Sequence, residues 1–305
     1  MVDRWAVLLL AHGAPDCLED IPEFLLKVRG GRKLSEAAVQ EIVNRYRRIG
    51  GGSPLLAITN RQAEALAIRL GHRVYVGMRN WRPFIADAVR QLNQDGVEGL
   101  VAICLAPQNS RTSIGLYRKH LENATVQLAP HVHVEFVERW HDNHELIAGF
   151  AEKVASALDR IRDTTRELVP VIFTAHSVPQ RTIEEGDPYQ GQVMETSRLV
   201  AQRAGLNHWR VAFQSQGMTS EPWIGPTVES QIDLLAAVGH GHVLLVPVSF
   251  VSDHVEVLYD VDIAFREYGQ AKGITVWRSE SLNDSPLLIQ ALAGIASARM
   301  PHPRC

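Results

Sequence analysis

Short runs of apolar residues alternate along the chain with longer segments in which apolar positions recur every three or four residues. The short runs are typical of strands buried on both faces, and the longer segments of amphipathic helices. An alternation of this kind indicates an α/β protein with parallel sheets. Eight strands are predicted, four in each half of the chain: Ala6–Ala11, Val74–Met78, Leu100–Ala106, Val132–Val137, Val169–Ala175, Trp209–Gln214, Val243–Phe250 and Ile274–Arg278.

A five-residue motif occurs once in each half of the chain, each time where a predicted strand ends. Residues 11–15 read Ala-His-Gly-Ala-Pro, and residues 175–179 read Ala-His-Ser-Val-Pro. The segments Trp81–Pro83 and Trp223–Pro226 form a second matching pair, and each precedes a helix and a strand. Together with the four strands in each half, these repeats predict an internal duplication.

The duplication and the strand pattern predict two similar doubly wound (Rossmann-like) domains of the α/β class, each with a four-stranded parallel sheet. We place them at residues 1–150 and 151–305, without a flexible linker between them. In open α/β sheets, ligands bind in the crevice beyond the carboxyl ends of the strands. His12 and His176 both stand at such strand ends, so we expect them to line one cleft from two sides.

Local signals predict where several helices begin and end. Ser35 precedes a segment with helical spacing and is a suitable N-cap. Thr59 and Gln62 fit a capping box, which predicts that a helix starts there, and Gly71 can end it in a left-handed conformation. Ser252 is likewise placed to cap a helix that follows the seventh strand.

Composition and charge describe a globular protein without a nucleic-acid or membrane signature. Hydrophobic residues make up 46% of the chain, charged residues 21%, and the formal net charge is −3, so no polyanion-binding surface is indicated. No apolar run approaches the roughly 20 residues of a membrane span, and the first residues lack a signal-peptide pattern. We expect a cytoplasmic monomer with no transmembrane segment and no nucleic-acid partner.

Several kinds of site are not indicated by the motifs. The three cysteines, Cys17, Cys104 and Cys305, are an odd number without CxxC spacing, which argues against a disulfide framework and against a cysteine-ligated zinc or iron–sulfur site. The glycines at 50–52 are not part of a Walker loop, and no GxSxG elbow is present. Nucleotide binding and hydrolysis of the usual α/β type are therefore not expected.

Three acidic residues after the seventh strand share one face of a predicted α-helix. Asp253, Glu256 and Asp260 stand at positions i, i+3 and i+7, and like charges so placed repel by roughly 0.2–0.5 kcal/mol per pair. Such a face is either a solvated acidic surface, favoured by the helix dipole, or a path for a divalent cation such as Fe²⁺. The pattern leaves both interpretations open.

His176 is the histidine with the most informative position. As an isolated residue it fits a hydrogen-bonded structural role, but it stands at a strand end in the same half as the acidic helix. An imidazole that meets Glu256 there can serve as base and metal ligand. A group of arginines in the first half forms either a solvated helix face or a bidentate clamp for ligand carboxylates. Its members are Arg29, Arg32, Arg45, Arg47 and Arg48.

At these motifs the sequence resembles ferrochelatases, the enzymes that insert Fe²⁺ into a porphyrin during haem biosynthesis. The resemblance runs from about Val7 to Leu292, and it is specific because several separate segments match in order. These segments are Tyr46–Leu55, Phe173–Pro179 with the histidine motif, Gly186–Tyr189, Gln214–Gly217, Pro222–Pro226 and Val251–Tyr259 with the glutamate motif.

The resemblance implies a site and a ligand. His176 and Glu256 are implied to face each other at the metal-insertion site, with a neutral His176 as proton acceptor and Asp253 and Asp260 on a path for the metal. A porphyrin cleft between the two domains is implied, and the C-terminal helix is implied to pack back on the first domain. The implied porphyrin contacts are His12, Arg29, Arg45, Tyr46, Ser53 and Tyr117.

The resemblance also bears on cofactors and on the axial ligand. Iron is implied as a substrate, with no tightly bound cofactor. Some family members carry a cluster held by four cysteines near the C-terminus, whereas only Cys305 lies there, so we expect no iron–sulfur cluster. Many bacterial relatives have tyrosine where His12 stands, which makes His12 a possible ligand of the iron in the product.

Two segments concern the choice of porphyrin. Leu105–Gln108 and the short loop Val28–Arg32 look like those of the branch that uses coproporphyrin III. We therefore favour coproporphyrin III, giving coprohaem, over protoporphyrin IX, giving protohaem. The alternatives to a ferrochelatase are a cobalt or nickel chelatase for sirohydrochlorin and a non-catalytic carrier of haem or porphyrin.

Overall fold

The computed structural model describes residues 4–165, 168–217 and 221–301. Two compact units are present. The first comprises the chain up to Ala106, Ser113–Trp140 and the residues from Asn283 onward; the second comprises Pro107–Thr112 and His141–Leu282. These bounds differ from a single division near residue 150, because the last segment belongs to the first unit.

The first unit is built around a parallel sheet whose strand order is β2-β1-β3-β4. Strand β1 lies at its centre, and its residues 6–10 have no exposed surface. Both faces are covered, which is why the strands read as continuous apolar runs rather than as alternating ones. The strands are β1 (Trp5–Ala11), β2 (Arg73–Met78), β3 (Gly99–Cys104) and β4 (His133–Val137).

Helices connect these strands and cover the sheet. A short 3-10 helix, Leu18–Asp20, precedes them. Side chains of α4 and α5 pack with β1 and β3 in one apolar cluster that includes Leu8, Val89 and Leu121. The helices are α1 (Ile21–Val28), α2 (Glu36–Arg48), α3 (Leu55–Leu70), α4 (Ile85–Gln94) and α5 (Ile114–Leu128).

The second unit repeats this topology with its own parallel sheet, in the order β6-β5-β7-β8. This is the order of the first sheet with each strand replaced by its counterpart, so the predicted duplication and the predicted fold class are confirmed. The strands are β5 (Val171–His176), β6 (Trp209–Gln214), β7 (His242–Pro247) and β8 (Thr275–Arg278). Its helices are α6 (His144–Thr165), α7 (Gln180–Glu184), α8 (Tyr189–Arg203), α9 (Val228–Ala237), a π-helix (Glu256–Phe265) and α10 (Arg266–Ala271).

The last helix, α11 (Pro286–Ser297), lies in the first unit and packs against α3. Arg61 Nε donates to Asp284 Oδ2 at 2.9 Å, and Gln62 Nε2 donates to the Asn283 carbonyl at 2.6 Å. No helix within the described ranges combines the length and the apolarity that a membrane span requires.

Two of the predicted helix ends are confirmed and two predicted starts are wrong. The Ser35 hydroxyl accepts from Ala38 N at 3.3 Å, and Gly71 ends α3 with φ +72°. The capping box at Thr59 does not form: α3 begins at Leu55, and the Thr59 hydroxyl donates to the Leu55 carbonyl at 2.8 Å within the helix. The start predicted at Ser252 is described below.

Candidate active site

Each strand of the second sheet contributes a residue to one polar site at its carboxyl edge. His176 is the last residue of β5, Gln214 the last of β6 and Arg278 the last of β8. Strand β7 ends at Pro247, short of the predicted Phe250, and Ser249 follows it. Because all four strands run in one direction, their carboxyl ends meet at this edge.

The backbone and ring of His176 are held from three sides. Nδ1 donates to the Ser177 carbonyl at 2.5 Å, since a carbonyl oxygen can only accept. The His176 amide donates to Ser249 Oγ at 3.1 Å, and its carbonyl accepts from the Tyr189 hydroxyl at 2.9 Å. These bonds leave Nε2 as the ring nitrogen available for chemistry, and they fix where it points.

Nε2 of His176 faces a carboxylate. Glu256 is the first residue of the π-helix, and its Oε1 lies 3.6 Å from His176 Nε2. The other carboxylate oxygen, Oε2, lies 3.9 Å from Nε2 of His254. The His176 and Glu256 side chains are 37% and 32% exposed, so a ligand can reach both. The structure therefore brings together the two residues on which the sequence prediction concentrates.

The charges of this pair depend on each other. Burial would lower the pKa of His176, but the nearby Glu256 carboxylate and the Ser177 carbonyl raise it to about 9. Burial would raise the pKa of Glu256, but His176 and then His254 hold it well below its usual range. The raised pKa of His176 favours its protonated form in the ligand-free protein, whereas the family resemblance implies a neutral proton acceptor.

The helix that carries Glu256 differs from the prediction. It is a π-helix that begins at Glu256, and the carbonyl of His254, not the Ser252 side chain, accepts from the Val257 and Leu258 amides. Val257, Val261 and Phe265 form its buried face. A spacing of four residues fits an α-helix as well, which is why the sequence pattern could not reveal the wider winding.

The three carboxylates that were predicted to share one helix face, Asp253, Glu256 and Asp260, have separate partners. Asp253 lies before the π-helix and binds Arg278 NH1 at 3.2 Å, so it does not stack with Glu256. Asp260 lies in the helix, accepts from Ser215 Oγ at 2.5 Å and contributes to the raised pKa of His176. The structure thus places Asp260 with the His176 pair and Asp253 in a different ion pair.

Several residues of the site were not singled out from the sequence. His254 packs against Phe250 with the rings tilted by 59° and their centroids 4.7 Å apart, and it is the second imidazole near Glu256. Gln214 Nε2 donates to the Glu256 carbonyl at 3.0 Å. Ser215, which binds Asp260, has a left-handed backbone with φ +58°. Their positions at strand ends and beside the glutamate were the signal that could have found them.

The segment that suggested a coproporphyrin branch has an internal role in the second unit. Gln108 is 2% exposed, and its amide donates to Thr196 Oγ1 at 3.0 Å and to the Val248 carbonyl at 3.2 Å. Val248 immediately precedes Ser249, the partner of the His176 amide. Gln108 is therefore a buried structural residue that holds the backbone next to Ser249, and its amide is not presented to a ligand.

In the first unit, His12 has the position that duplication predicts, directly after β1. It is exposed, and its ring lies edge-to-face with Phe24 at 6.1 Å. The Asn80 amide nitrogen, Nδ2, lies 3.2 Å from both ring nitrogens, and the Asn80 backbone N–H donates to the His12 carbonyl at 2.9 Å. His12 and His176 thus stand at equivalent strand ends, but the partner of the His12 ring is Asn80, whereas that of the His176 ring is Glu256.

The other predicted porphyrin contacts differ in accessibility. Tyr46 and Tyr117 are 1% and 4% exposed, so a ligand reaches either only if its surroundings open. Ser53 is also buried, and its hydroxyl accepts from the Leu55 amide at 3.3 Å. Arg29 and Arg45 are half-buried, and Arg45 pairs with Glu41 on the same helix.

A complete metal site needs more donors than this pair supplies. Within the ranges that the structure describes, no three or more His, Cys, Asp or Glu side chains are grouped so that they could hold a metal ion. The His176–Glu256 pair alone offers two donor atoms, which is fewer than a complete metal site has.

Comparison with known proteins identifies the class. A family model described as Ferrochelatase matches residues 4–300. A ferrochelatase from Acidobacterium capsulatum is 46% identical, covering 98% of this chain and 95% of that protein. One from Deinococcus radiodurans is 40% identical, covering 95% and 94%. A coproporphyrin III ferrochelatase from a Geobacillus species is 37% identical, covering 97% and 98%.

A solved structure shares the fold. The sirohydrochlorin chelatase of Bacillus subtilis subspecies spizizenii, in complex with cobalt, has a TM-score of 0.60 and covers 97% of this chain and 94% of that chain at 9% identity. At 9% identity this likeness shows the fold alone, whereas the family model and the ferrochelatase relatives show that the chain is a metal chelatase, a lyase. Within that class, the chain belongs to the ferrochelatase family, whose members insert iron into porphyrin.

Proposed function

We propose that this ferrochelatase inserts Fe²⁺ into coproporphyrin III, giving coprohaem and two protons. The observation that carries the proposal is the His176–Glu256 pair, an imidazole and a carboxylate 3.6 Å apart at the carboxyl edge of the second sheet. Insertion needs a group that takes pyrrole protons and donors that hand over the metal, and this pair has both capacities.

His176 and Glu256 are the proposed catalytic residues and metal ligands. Nitrogen and oxygen ligands lie about 2.0–2.2 Å from a divalent transition metal. A separation of 3.6 Å between Nε2 and Oε1 is therefore compatible with both atoms binding one ion. Asp260 extends the proposed path for iron because it follows Glu256 by four residues, about one turn, in the same helix. Asp253 is not proposed for this path, since Arg278 already holds its carboxylate.

Proton transfer then has a defined order. Glu256 raises the pKa of His176 and so favours its protonated form in the ligand-free protein, and this proton must leave to solvent before His176 can accept one from a pyrrole. The approach of Fe²⁺ favours this release because an imidazole binds a metal only in its neutral form. As iron passes into the ring, Nε2 becomes free again and takes one pyrrole proton, and Glu256 stabilises the imidazolium that results. His176 passes this proton to solvent and then takes the second pyrrole proton in the same way, so that both protons leave.

The first unit is proposed to bind the porphyrin through the residues that the family pattern implies. Coproporphyrin III has four propionates, whereas protoporphyrin IX has two, and guanidinium groups bind carboxylates in a bidentate manner. Arg29 and Arg45 are the proposed propionate contacts, with Tyr46, Ser53 and Tyr117. His12 is the proposed axial ligand of the product iron.

Iron is proposed as a substrate, with no resident cofactor and no iron–sulfur cluster. Among the described residues, Cys17 and Cys104 are free thiols, and Cys104 is buried; Cys305 lies outside the described residues. Iron and acid-labile sulfide measured in the purified protein test this point. Stoichiometric amounts of both would overturn it.

The deciding experiment is an anaerobic assay with Fe²⁺ and either coproporphyrin III or protoporphyrin IX, in which loss of porphyrin fluorescence is followed. We expect a higher kcat/KM with coproporphyrin III. An equal or higher value with protoporphyrin IX would overturn the substrate assignment. Binding of both porphyrins without insertion would indicate a carrier, and insertion of cobalt into sirohydrochlorin alone would indicate the other chelatase class.

A further inference from the structure

Arg278 is the last residue of β8, and its side chain is only 13% exposed. Nε donates to Asp262 Oδ1 and NH2 binds Asp262 Oδ2, both at 2.9 Å, which is a bidentate arrangement. NH1 donates to Asp253 Oδ1 at 3.2 Å and to the Ser279 carbonyl at 3.2 Å. Arg278 therefore binds two carboxylates at once.

The two carboxylates stand on either side of Glu256 in the sequence. Asp253 precedes the π-helix, and Asp262 lies within it. Both are 20% exposed, so their bonds to Arg278 are only weakly screened by water. Ser281 Oγ also donates to Asp253 Oδ1, at 2.8 Å. Arg278 thus fixes this segment to the end of β8 at two points, one before Glu256 and one after Glu256.

The π-helix is longer than this geometry usually extends. It contains ten residues, whereas π-helical geometry is mostly confined to single turns inside α-helices. Its apolar residues, Val257, Val261 and Phe265, are spaced to suit an α-helix equally well, so burial of that face does not select the wider winding. The polar contacts to Asp253 and Asp262 are independent of that spacing and can select it.

We propose that Arg278 is a positioning residue of the iron-insertion site, whose two-carboxylate clamp keeps the π-helix wound and the Glu256 carboxylate beside His176. The clamp consists of Arg278, Asp253 and Asp262. This role rests on the proposed function of the His176–Glu256 pair. Arginine is required because its planar fork binds Asp262 with two parallel bonds while its third nitrogen reaches Asp253, which an ammonium group cannot do.

The chain supplies a matched control. Arg266 NH2 also binds Asp262, at 3.0 Å, but its side chain is 51% exposed and its pair joins residues of neighbouring helical turns. R266K removes the Arg266 guanidinium contact from the same carboxylate, keeps the positive charge as R278K does, and leaves the clamp closed. Exposed pairs of this kind contribute little to stability.

The test compares R278K and R266K with the wild type. R278K keeps the buried positive charge, so it is the variant most able to fold, and D253N is a second variant that opens the clamp at one end only. We expect R278K to reduce kcat by about 100-fold with KM for the porphyrin unchanged, because small displacements of reacting groups have effects of that order. R266K should stay within about twofold of the wild type.

Two further readouts separate positioning from a general loss of structure. Hydrogen exchange of amides in residues 256–265 should become faster in R278K and D253N, while exchange in β5 and β6 is unchanged. In an E256Q background, R278K should reduce kcat no further, because the group that it positions is already altered.

Each outcome bears on one proposal. Unchanged exchange in residues 256–265 together with a normal kcat for R278K would overturn the clamp, and so would an equal loss in R266K. If the wild type inserts iron into no porphyrin, the proposed function fails. The exchange measurement would then still decide whether Arg278 holds the π-helix.

Discussion

Gln214 joins the two central residues of the site. Its side-chain Nε2 donates to the carbonyl of Glu256 at 3.0 Å, and its own carbonyl accepts from the amide of Ser177 at 2.7 Å. Ser177 in turn holds the ring of His176 through its carbonyl. One buried residue at the end of β6 therefore sets the position of the imidazole and of the carboxylate relative to each other.

Replacing Gln214 with alanine should lower kcat because Glu256 loses its backbone anchor. We expect a loss of about 10-fold to 100-fold, the range in which small displacements of catalytic groups act. The matched control is Gln216→Ala, since Gln216 is the same residue type two positions later and is exposed. Equal kcat values for the two variants would contradict the anchoring role.

Replacing His176 with alanine should abolish insertion while porphyrin still binds. Loss of a general base lowers the rate by about 10²–10⁴-fold, and here the same change also removes a metal ligand. The measurements are kcat by fluorescence loss and porphyrin affinity by absorbance titration. His144→Ala, at a side chain that is 73% exposed, is the control. Near-normal turnover in His176→Ala would show that the assigned role is wrong.

The His176–Glu256 pair predicts a pH dependence of stability in the metal-free protein. Folding raises the pKa of His176 from 6.5 to about 9, so the stabilisation is complete below pH 6.5 and is lost as the pH rises to about 9. The low pKa of Glu256 acts in the opposite range: its contribution is lost as the pH falls below 4.5.

Removing the carboxylate isolates this effect. In E256Q the pKa of His176 should fall back toward 6.5, and Tm should depend less on pH between 6.5 and 9 than in the wild type. The ring titration is measured by NMR of the imidazole, with His176→Ala used to assign the signal. A His176 resonance that titrates identically in E256Q and in the wild type would refute the ion pair.

His12 is expected to bind the iron of the product. His12→Ala should therefore change the Soret spectrum of bound coprohaem, because an axial imidazole is lost. His133→Ala, at an exposed histidine on the first residue of β4, is the control. Identical spectra of bound product for His12→Ala and the wild type would exclude His12 as the ligand.

Gly13 occupies the place in the first motif that Ser177 has in the second. A Cβ atom at Gly13 would lie 2.7 Å from the Trp81 amide nitrogen, and its φ is +80°. Gly13→Ala should therefore destabilise the fold by about 1–3 kcal/mol, through backbone strain and overpacking. At Gly30, φ is +60° and an added Cβ would have no atom within 4 Å, so Gly30→Ala isolates the strain. Equal Tm losses would exclude overpacking at Gly13.

The strands and the duplication could be predicted because parallel strands covered on both faces leave continuous apolar runs. Residues 6–10 illustrate this, since none of them has exposed surface. His176 stands at the end of such a run and Glu256 lies in the segment that follows another, and the family resemblance then singled out both residues. The start of α3 was missed because a hydroxyl such as that of Thr59 suits an N-cap and an i−4 carbonyl equally well.

The winding at Glu256 could not be predicted because apolar residues four apart fit two kinds of helix. With an α-helix assumed instead of a π-helix, Asp253 and Asp260 were predicted to lie on one helix face. Their separation depends on Arg278 and Ser215, which are distant in sequence and supply the partners. The roles of Gln214 and Gln108 were hidden for a related reason, since a buried amide leaves no periodic signal.

The location of α11 has a consequence for synthesis. The first unit contains the start of the chain, yet its last helix follows the whole of the second unit. As the polypeptide leaves the ribosome, the second sheet can be complete while the first still lacks the helix that covers α3. The half of the molecule that is translated first can therefore complete its fold only after the other half has been translated.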